Sequence, residues 1–333
     1  MNGGILHKGY LKSYNTVILV FVSLFFVTSC MPDNLKRVEM ESFPVCKKLI
    51  AERIPLEQVL SPGYLLNKHD VLFATGEKGD TLLYRYQLPD LSYIDRFGIK
   101  GQGEDDFQLF PMFVKSQTED VYIWGYTPLT IKRFSLDNDG RLVLKRKYQL
   151  ASYESFNEMH VAMDSILIYS AIPSEFAIKK VDLNTGALLG KIPIETDRHK
   201  DSFFYSNRGY VAANDSFVVY TYVYKKQIDI YSIADLSLSK SLAGIYQEQK
   251  IDVGNFESNI NYYLDVVAGK DYFYALCKGV ADDVSLEVFD YAGHSIACYA
   301  FDIFPNLFAV DEENGYIYGY NYELEDCFLR YCL

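Results

Sequence analysis

The sequence predicts an all-β fold built from repeated four-stranded units, because two short phrases each recur six times along the chain. The first phrase is an aromatic or β-branched residue, any residue, and then Leu, Ile or Tyr. Its copies begin at Tyr86, Phe134, Val181, Tyr231, Phe289 and Tyr331, at intervals of 48, 47, 50, 58 and 42 residues. Such a period is expected when one four-stranded sheet is repeated around an axis. The repeat therefore predicts a six-bladed β-propeller of four-stranded antiparallel blades.

The second phrase precedes the first in every repeat and marks the strand before it. It is a polar turn residue followed by a β-branched and aromatic run, and its copies begin at Asp70, Asp120, Asp164, Asp215, Asp271 and Asn314. A polar turn former followed by such a run is how a hairpin enters a strand. After the first phrase, turn residues lead to a further short strand, such as 93–97 or 296–301. An innermost strand brings each repeat to four.

The last repeat needs a strand from elsewhere, because the sequence stops at Leu333 where the sixth copy of the first phrase ends. An open edge would leave a row of backbone groups unpaired. Residues 49–56 resemble residues 188–194, which occupy the outer-strand position of the third repeat. We therefore expect an N-terminal strand near residues 46–54 to close the last blade. An ordinary strand on another sheet is the alternative.

Residues 1–29 predict an export signal rather than part of the fold. Lys8 and Lys12 supply a positive n-region and residues 17–27 an apolar h-region. The ending Val27-Thr28-Ser29-Cys30 resembles a bacterial lipobox, which implies lipidation of Cys30. The apolar run is shorter than the ~20 residues of a spanning helix, and an uncleaved anchor is the alternative.

These boundaries predict three segments: a lipoprotein signal peptide (1–29), a lipidated tether (30–44) and the propeller (45–333). We expect an exported lipoprotein of the outer membrane, with the leaflet left open. The net charge of −12 argues against nucleic acid as a partner, because phosphates demand basic surfaces. A monomer is expected.

With Cys30 assigned to lipid, five cysteines remain: Cys46, Cys277, Cys298, Cys327 and Cys332. None forms a Cys-x-x-Cys pair, and no His pair lies near the last two, so we expect no metal site. Cys46 in the closing strand and Cys327 or Cys332 in the strand beside it could approach each other. A disulfide there would lock the ring, and free thiols are the alternative.

A glycine-rich segment, residues 97–107, contains Gly-x-x-Gly-x-Gly, the reverse of the dinucleotide fingerprint. No helix pattern follows it, and a phosphate site needs the helix N-terminus as well as the glycines. We therefore expect no cofactor. The structural interpretation is a crossing between blades in which glycines permit tight turns and Phe107 fills the core.

Part of this segment, Gly101-Gln102-Gly103-Glu104-Asp105-Asp106-Phe107, resembles the Gly-x-Gly-Pro-x-Glu-Phe stretch of the six-bladed TolB-like propeller lipoproteins of Bacteroidetes. Gly101, Gly103 and Phe107 match, Glu104 stands where that family has Pro, and Asp106 replaces its Glu. The export signal, repeat number and closing strand extend the resemblance along the whole chain. It implies fold and location, and few members of the family have an assigned activity.

Ligand contacts are expected on one face of the ring. The loops from second to third strands emerge there together with the crossings between blades, and this is usually the binding face. The candidate ligand-binding residues in these loops are Trp124, Tyr126, Tyr222, Tyr224, Asp282, Asp283, Tyr320 and Tyr322. Aromatic rings flanked by carboxylates would suit a sugar. Wall and core positions are the alternative for any one of the tyrosines.

The sequence assigns no catalytic residue, because it contains no Gly-x-Ser-x-Gly elbow and its acidic residues offer many arbitrary pairs. The first hypothesis is a membrane-anchored, extracytoplasmic binding module for a glycan, a peptide or an envelope protein. The alternatives are a polysaccharide hydrolase or lyase with carboxylates in the central funnel, and a scaffold in an outer-membrane complex. A charged funnel with shifted pKa values would favour the enzyme, and an apolar plugged funnel would favour binding or scaffolding.

Overall fold

The fold is given by a computed structural model that describes residues 36–59, 61–76, 80–103, 106–126, 129–137, 140–150, 155–172, 175–200, 202–245, 249–279 and 283–333. Residues 38–333 form one compact unit. Residues 1–37 form a separate unit, of which only Lys36 and Arg37 are described. The predicted export signal and Cys30 therefore lie outside the described residues.

The described residues form 26 β-strands and two 3₁₀ turns, with no α-helix among them. From β1 to β26 the strands are Arg37–Glu39, Val45–Leu49, Glu52–Pro55, Pro62–Lys68, Val71–Gly76, Thr81–Gln87, Ser92–Ile99, Met112–Ser116, Val121–Tyr126, Leu129–Leu136, Leu142–Gln149, Ser155–Ala162, Ile166–Ile172, Phe176–Asp182, Leu188–Glu195, Gly209–Ala213, Phe217–Tyr222, Gln227–Ser232, Leu238–Ala243, Tyr263–Ala268, Tyr272–Lys278, Val284–Asp290, Ser295–Phe301, Leu307–Asp311, Tyr316–Tyr320 and Cys327–Cys332.

Most strands fall into antiparallel runs of four, each pairing strands in chain order: β4–β7, β8–β11, β12–β15, β16–β19, β20–β23, and β24–β26 followed by β3. The second and third runs join into one eight-stranded sheet, because β8 and β12 pair in parallel at Lys115↔His160 and Ser116↔Val161. β1 and β2 lie at the outer edges of β19 and β23. The all-β prediction is thus confirmed.

The two repeated phrases are joined by backbone hydrogen bonds. In four repeats the last residue of the first phrase donates its N–H to a carbonyl of the turn that opens the second phrase. These bonds are Leu88 to Asp70, Leu183 to Ser165, Ile233 to Ser216 and Leu333 to Gly315, at 2.8, 2.8, 2.9 and 2.9 Å. The phrases therefore recur together because they form the two ends of one hairpin unit.

The core lies between the runs. Each pair of neighbouring runs shares a cluster of buried apolar side chains, and so do the last run and the first. In the cluster between last and first, the ring of Phe328 packs edge-on against Tyr86 with centroids 5.1 Å apart. Because both faces of the second strands are covered, their sequences are almost continuously apolar.

The closing strand differs from its predicted limits. β3 (Glu52–Pro55) pairs antiparallel with β26, so an N-terminal strand does complete the last run. The first part of the predicted stretch is wrong, because β2 (Val45–Leu49) pairs in parallel with β23 instead. Between them, Asp302 accepts the Ala51 N–H at 2.9 Å and donates its own N–H to Leu49 O at 3.1 Å. These bonds hold the chain where it crosses from one run to the next.

The cysteine prediction also needs correction. Because β2 lies beside β23, Cys46 stands opposite Cys298 and not beside Cys327 or Cys332. The last two lie on β26, whose added neighbour is β3. All five cysteines beyond Cys30 are free thiols in this structure.

The glycine-rich segment is a crossing between the first two runs, and Phe107 is buried in the cluster between them. Phe107 N–H donates to Ile99 O at 3.0 Å, and Gly101 N–H donates to Phe107 O at 3.1 Å. The Asp106 carboxylate accepts the Gly103 N–H at 2.8 Å. A Cβ on Gly101 or Gly103 would collide with that carboxylate, so both glycines are required by its close approach. Glu104 lies outside the described residues.

Candidate functional site

The first strand of each run lines a central space that has a cavity at each end. One cavity, of about 350 Å³, lies where these strands begin. Antiparallel pairing brings the ends of the second strands to the same side, as at Pro62↔Gly76. We call this the loop-face cavity. The turn-face cavity, of about 580 Å³, lies at the other end, beside the turns from first to second strands.

Three of the six lining strands carry a β-bulge at the loop-face cavity. The register with the second strand shifts by one residue between Pro62 and Leu65 in β4, between Asn157 and His160 in β12, and between Tyr263 and Asp265 in β20. Over their described residues β8, β16 and β24 pair without a shift. Bulges redirect side chains and are common beside functional sites. Here the bulged stretches contribute Tyr64, Glu158 and Leu264 to the cavity wall.

Glu158 is the most constrained of these residues. Its backbone is left-handed, with φ of 48°, a conformation that costs a residue with a side chain free energy and clusters at functional sites. The side chain is half-buried and makes no hydrogen bond or ion pair with another described residue. The bulge therefore holds an unpaired carboxylate at the cavity wall.

The cavity is charged. Lys115 from β8, Glu158 from β12 and Asp265 from β20 line it, and Arg208, one residue before β16, lies close enough to act on the pKa of Glu158. The side chains of Lys115 and Arg208 also make no ion pair or hydrogen bond within the described chain. Asp265 accepts the N–H of the next residue at 2.7 Å. One cationic and two anionic side chains therefore line the cavity with little internal pairing, and the exposed Arg208 lies near them.

Burial raises the pKa of Glu158 from 4.5 to about 7, and the negative charge of Asp265 raises it further against the opposing charges of Lys115 and Arg208. Burial also raises the pKa of Tyr210 to about 12. At neutral pH the Tyr210 hydroxyl is therefore a hydrogen-bond donor, while Glu158 exchanges its proton readily. A carboxyl with a pKa near the ambient pH can both give and take a proton.

His160 forms part of the wall behind Glu158. Its side chain is 2% exposed, and Nε2 lies 2.9 Å from Val211 O. Because a carbonyl only accepts, Nε2 carries the proton and Nδ1 is left as an acceptor, with no partner in the described chain. Burial, and then the charge of Lys115, lower the pKa of His160 to about 3. This imidazole is a neutral structural group at any physiological pH.

The turn-face cavity differs because its most prominent charges are already bound. Lys68 is buried, which lowers its pKa to about 8, and its Nζ donates to Ser116 O at 2.5 Å and to Thr118 O at 2.5 Å. Glu312 accepts the N–H groups of Lys270 and Tyr272 at 2.6 and 3.0 Å. These residues brace neighbouring runs, so the loop-face cavity is the better candidate for a ligand.

The sequence-predicted ligand residues are dispersed. Trp124 lines the loop-face cavity, although it is only 2% exposed. Tyr222 and Tyr224 are buried, and the Tyr222 hydroxyl donates to Asp229 at 2.8 Å. Tyr320 is 1% exposed and packs edge-on against Tyr322, which is 53% exposed.

Among the remaining predicted residues, Asp283 is exposed, while Asp282 and the side chain of Tyr126 lie outside the described residues. Of the predicted residues that are described, only Trp124 lines the loop-face cavity. The structure therefore brings together a different set from the one the sequence suggested.

Sequence reasoning missed Lys115, Glu158, Tyr210 and Asp265, because it did not locate the innermost strands. A signal existed: a charged residue interrupts each of the apolar stretches 112–116, 156–162 and 262–268 just upstream of a second phrase. Such an interruption is typical of a strand with one face toward a polar cavity.

Within the described ranges no group of three or more His, Cys, Asp or Glu is placed to hold a metal ion. The same part of the chain contains no helix long and apolar enough to cross a bilayer.

The fold resembles solved structures of very different sequence. A Bacteroides fragilis protein inferred to be exported aligns with a TM-score of 0.54 at 10% identity, over 86% of this chain and 98% of its own. U3-55K aligns with a TM-score of 0.51 at 8% identity, over 85% and 98%. The WD40 repeats of RRP9 align with a TM-score of 0.51 at 7% identity, over 85% and 97%. No protein-family model and no curated protein matches the sequence. At these identities the likeness shows the fold, and the chain is a β-propeller.

Proposed function

We propose that this protein is an exported, lipid-anchored binding module, a closed six-bladed propeller that holds a glycan or a similarly polar ligand in its loop-face cavity. The observation that carries the proposal is the set of charged side chains at that cavity. Glu158 and Lys115 are half-buried and have no hydrogen-bonding or ionic partner in the described chain, and a charge that is partly withdrawn from water without a partner is costly. A polar ligand would supply the missing partners.

The ring itself is supported by packing. Six runs of four strands share apolar clusters with both neighbours, including the cluster between last and first, and β3 fills the last edge. The outer-membrane lipoprotein assignment is supported by the lipobox-like ending at Cys30 and by the glycine-rich crossing of the TolB-like kind. The B. fragilis neighbour inferred to be exported has the same fold.

The charge balance favours a neutral polyol. Lys115 in the cavity and Arg208 near it offset the two carboxylates, so an ion of either sign would meet repulsion as well as attraction. A sugar hydroxyl can donate to the carboxylates of Glu158 and Asp265 and accept from Lys115 and Arg208. A cavity of about 350 Å³ lies at the small end of ligand sites, which suits a small saccharide or the end of a longer glycan.

The test is a thermal-shift screen of neutral mono- and disaccharides on the full chain in detergent. A bound saccharide raises the melting temperature by mass action, worth about 2.7 kcal/mol at a hundredfold excess over Kd. We expect the shift in the wild type and in Glu313→Gln, an exposed carboxylate at the other cavity, and its loss in Lys115→Met and Asp265→Asn. Trp124, the only tryptophan of the chain, should change emission on binding. If no saccharide gives a shift, or if both cavity variants keep it, the proposal is wrong.

The second candidate is a polysaccharide hydrolase or lyase that uses the same carboxylates. The observation in its favour is the pKa of Glu158 near 7 beside Asp265, since paired carboxylates with separated pKa values perform acid and base roles in glycoside cleavage. The measurement is release of reducing ends from a polysaccharide panel. Turnover with a pH profile that disappears in Glu158→Gln supports the enzyme, and saccharide binding without turnover supports the binding module.

Anchoring is tested separately. Cys30→Ala should release the protein from the membrane fraction or leave its precursor unprocessed. Fatty-acid labelling that persists in Cys30→Ala would contradict lipidation at this residue.

A further inference from the structure

Two cysteines face each other across a strand pair at the edge of the ring. β2 pairs in parallel with β23, and the register sets Cys46 opposite Cys298, between the pairs Val45↔Ala297 and Lys47↔Tyr299. Directly opposed residues in a sheet project to the same face. The two thiols therefore lie side by side, although the cysteines are 252 residues apart in sequence.

The spacing is compatible with a disulfide. Neighbouring strands lie about 4.8 Å apart, and disulfides join Cα atoms about 4.4 to 6.8 Å apart. Burial is the first cause that raises the pKa of Cys298. The two thiols are also close enough for the charge of Cys46 to raise it further. The strand spacing therefore places the Cα atoms of this in-register pair within the range that a disulfide joins.

Accessibility separates this pair from the other cysteines. Cys46 is exposed and Cys298 is half-buried, so an oxidant can reach them. Cys277 is buried, and burial raises its pKa to about 12, which keeps it a thiol with little reactivity. Cys327 and Cys332 lie on β26, one run away from β2.

The strand that carries Cys46 is weakly held. Four of the five side chains of β2 are exposed, and only Leu49 is buried. Apart from that residue, β2 is retained mainly by its backbone ladder with β23. A strand with so little apolar burial opens at low cost in free energy, so a covalent link would add most here.

We propose that Cys46 and Cys298 form a disulfide that fastens β2 to β23. The oxidant is a disulfide, either of a thiol–disulfide oxidoreductase or of a small molecule such as oxidised glutathione. One cysteine thiolate attacks the oxidant, forms a mixed disulfide and releases one thiol; the other cysteine then displaces the second thiol. Each cysteine loses a proton and an electron, and the oxidant leaves as two thiols.

The bond itself does not depend on the proposed function, but its benefit does. If Cys30 is lipidated, β2 lies on the segment between the lipid and the ring. Once tension has separated β1 from β19, the disulfide would transmit it from the membrane anchor to β23 and spare the ladder of β2. Disulfides persist in oxidising compartments outside the cytoplasm, where an exported protein would acquire this one.

The experiment uses the full chain in detergent, equilibrated with reduced and oxidised glutathione, alkylated and mapped by peptide mass spectrometry without reduction. We expect a peptide pair cross-linked through Cys46 and Cys298 in the wild type and in Cys332→Ser, a matched control on an exposed cysteine. The pair should be absent in Cys46→Ser and Cys298→Ser. Dithiothreitol should lower the melting temperature of the wild type and of Cys332→Ser only.

Three outcomes overturn the proposal. The first is a wild-type protein in which Cys46 and Cys298 both remain free or carry only glutathione. The second is a cross-link from Cys46 to Cys327 or Cys332. The third is a melting temperature that dithiothreitol lowers equally in the wild type and in Cys46→Ser, which would show that the bond does not fasten β2. Failure of the saccharide screen leaves this proposal unaffected.

Discussion

Replacing Glu158 with Gln should change how the stability of the protein depends on pH. The folded protein holds the pKa of Glu158 at about 7, against 4.5 for an ordinary glutamate. Between pH 4.5 and about pH 7, Glu158 therefore keeps its proton in the folded protein and has lost it in the unfolded chain. Stability that is fully present below pH 4.5 is lost as the pH rises to about 7, because the folded protein must then ionise a poorly solvated carboxyl beside Asp265. Gln is neutral at every pH and removes this loss.

The size of the effect follows from the shift. One pKa unit corresponds to about 1.4 kcal/mol, which makes about 3 kcal/mol an upper limit. Glu158 is only half-buried, so screening by solvent reduces the effect to about 1–2 kcal/mol. We expect the Gln variant to match the wild type at pH 4.5 and to exceed its free energy of unfolding by this amount at pH 8.

The assay is urea denaturation from pH 4.5 to pH 8.5, with Glu313→Gln as the control because that carboxylate is exposed. The difference between Glu158→Gln and wild type should grow between pH 4.5 and 7 and stay constant above. Stability curves that run parallel over this range would refute the reasoning. A variant that loses stability at all pH values would show that the carboxylate makes a structural contact in the folded protein.

Three further predictions concern the fold. Gly103→Ala should lower the free energy of unfolding by about 1 kcal/mol, because the new Cβ displaces the Asp106 carboxylate from the Gly103 N–H. The control is Gly125→Ala, whose Cβ would meet only an ordinary contact at 3.5 Å, and it should leave the free energy of unfolding unchanged in the same denaturation assay. Phe107→Ala should cost about 3–5 kcal/mol, as expected for emptying a buried aromatic site, and a smaller loss would show that Phe107 does not fill the core between the first two runs. Deleting residues 31–55, which removes β3, should unfold the domain or lower its melting temperature strongly, whereas deleting 31–36 should not; equal melting temperatures would make the closing strand dispensable.

The second and third strands of each run were predictable because both of their faces are buried. The second phrases are nearly continuous apolar runs, and the first phrases end the third strands. In four repeats a backbone bond of the Leu88–Asp70 type joins the two phrases. The alternation and length of such segments reflect burial alone. For these strands the sequence contains the structural information directly.

β2 could not be assigned from sequence for the opposite reason. Residues 49–56 resemble an outer strand, and part of that stretch, β3, is one. The five residues of β2 contain one buried side chain, so their pattern does not specify a sheet. The Asp302 bonds hold the chain at the end of its pairing with β23, and they join parts of the chain that are distant in sequence.

The candidate site could not be predicted from the sequence because of the bulges in the first strands. Tyr222 and Tyr320, which the sequence placed in the loops after the second strands, were expected to face a ligand because they are aromatic and close to the binding face, and the structure makes them the last residues of those strands. Their rings turn inward instead and pack in the walls between runs. The residues that do face the cavity lie on the first strands, and a bulge in β12 turns Glu158 toward the cavity. An extra residue in a strand leaves no fixed mark in sequence, and here Glu158 occupies the left-handed position where a glycine would have indicated it.

The bulges also suggest why the site is asymmetric in a repeated fold. They occur in β4, β12 and β20, the first strands of alternate runs. A strict repeat would present the same side chain from every run, and a ring of like charges would repel itself. Bulging alternate strands offsets the lining residues, so that Lys115 on an unbulged strand lies among carboxylates on bulged ones. Removing the bulge in β12 by deleting Met159 should therefore return Glu158 to a regular strand position and abolish saccharide binding, while the apolar clusters that hold neighbouring runs together retain most of their contacts.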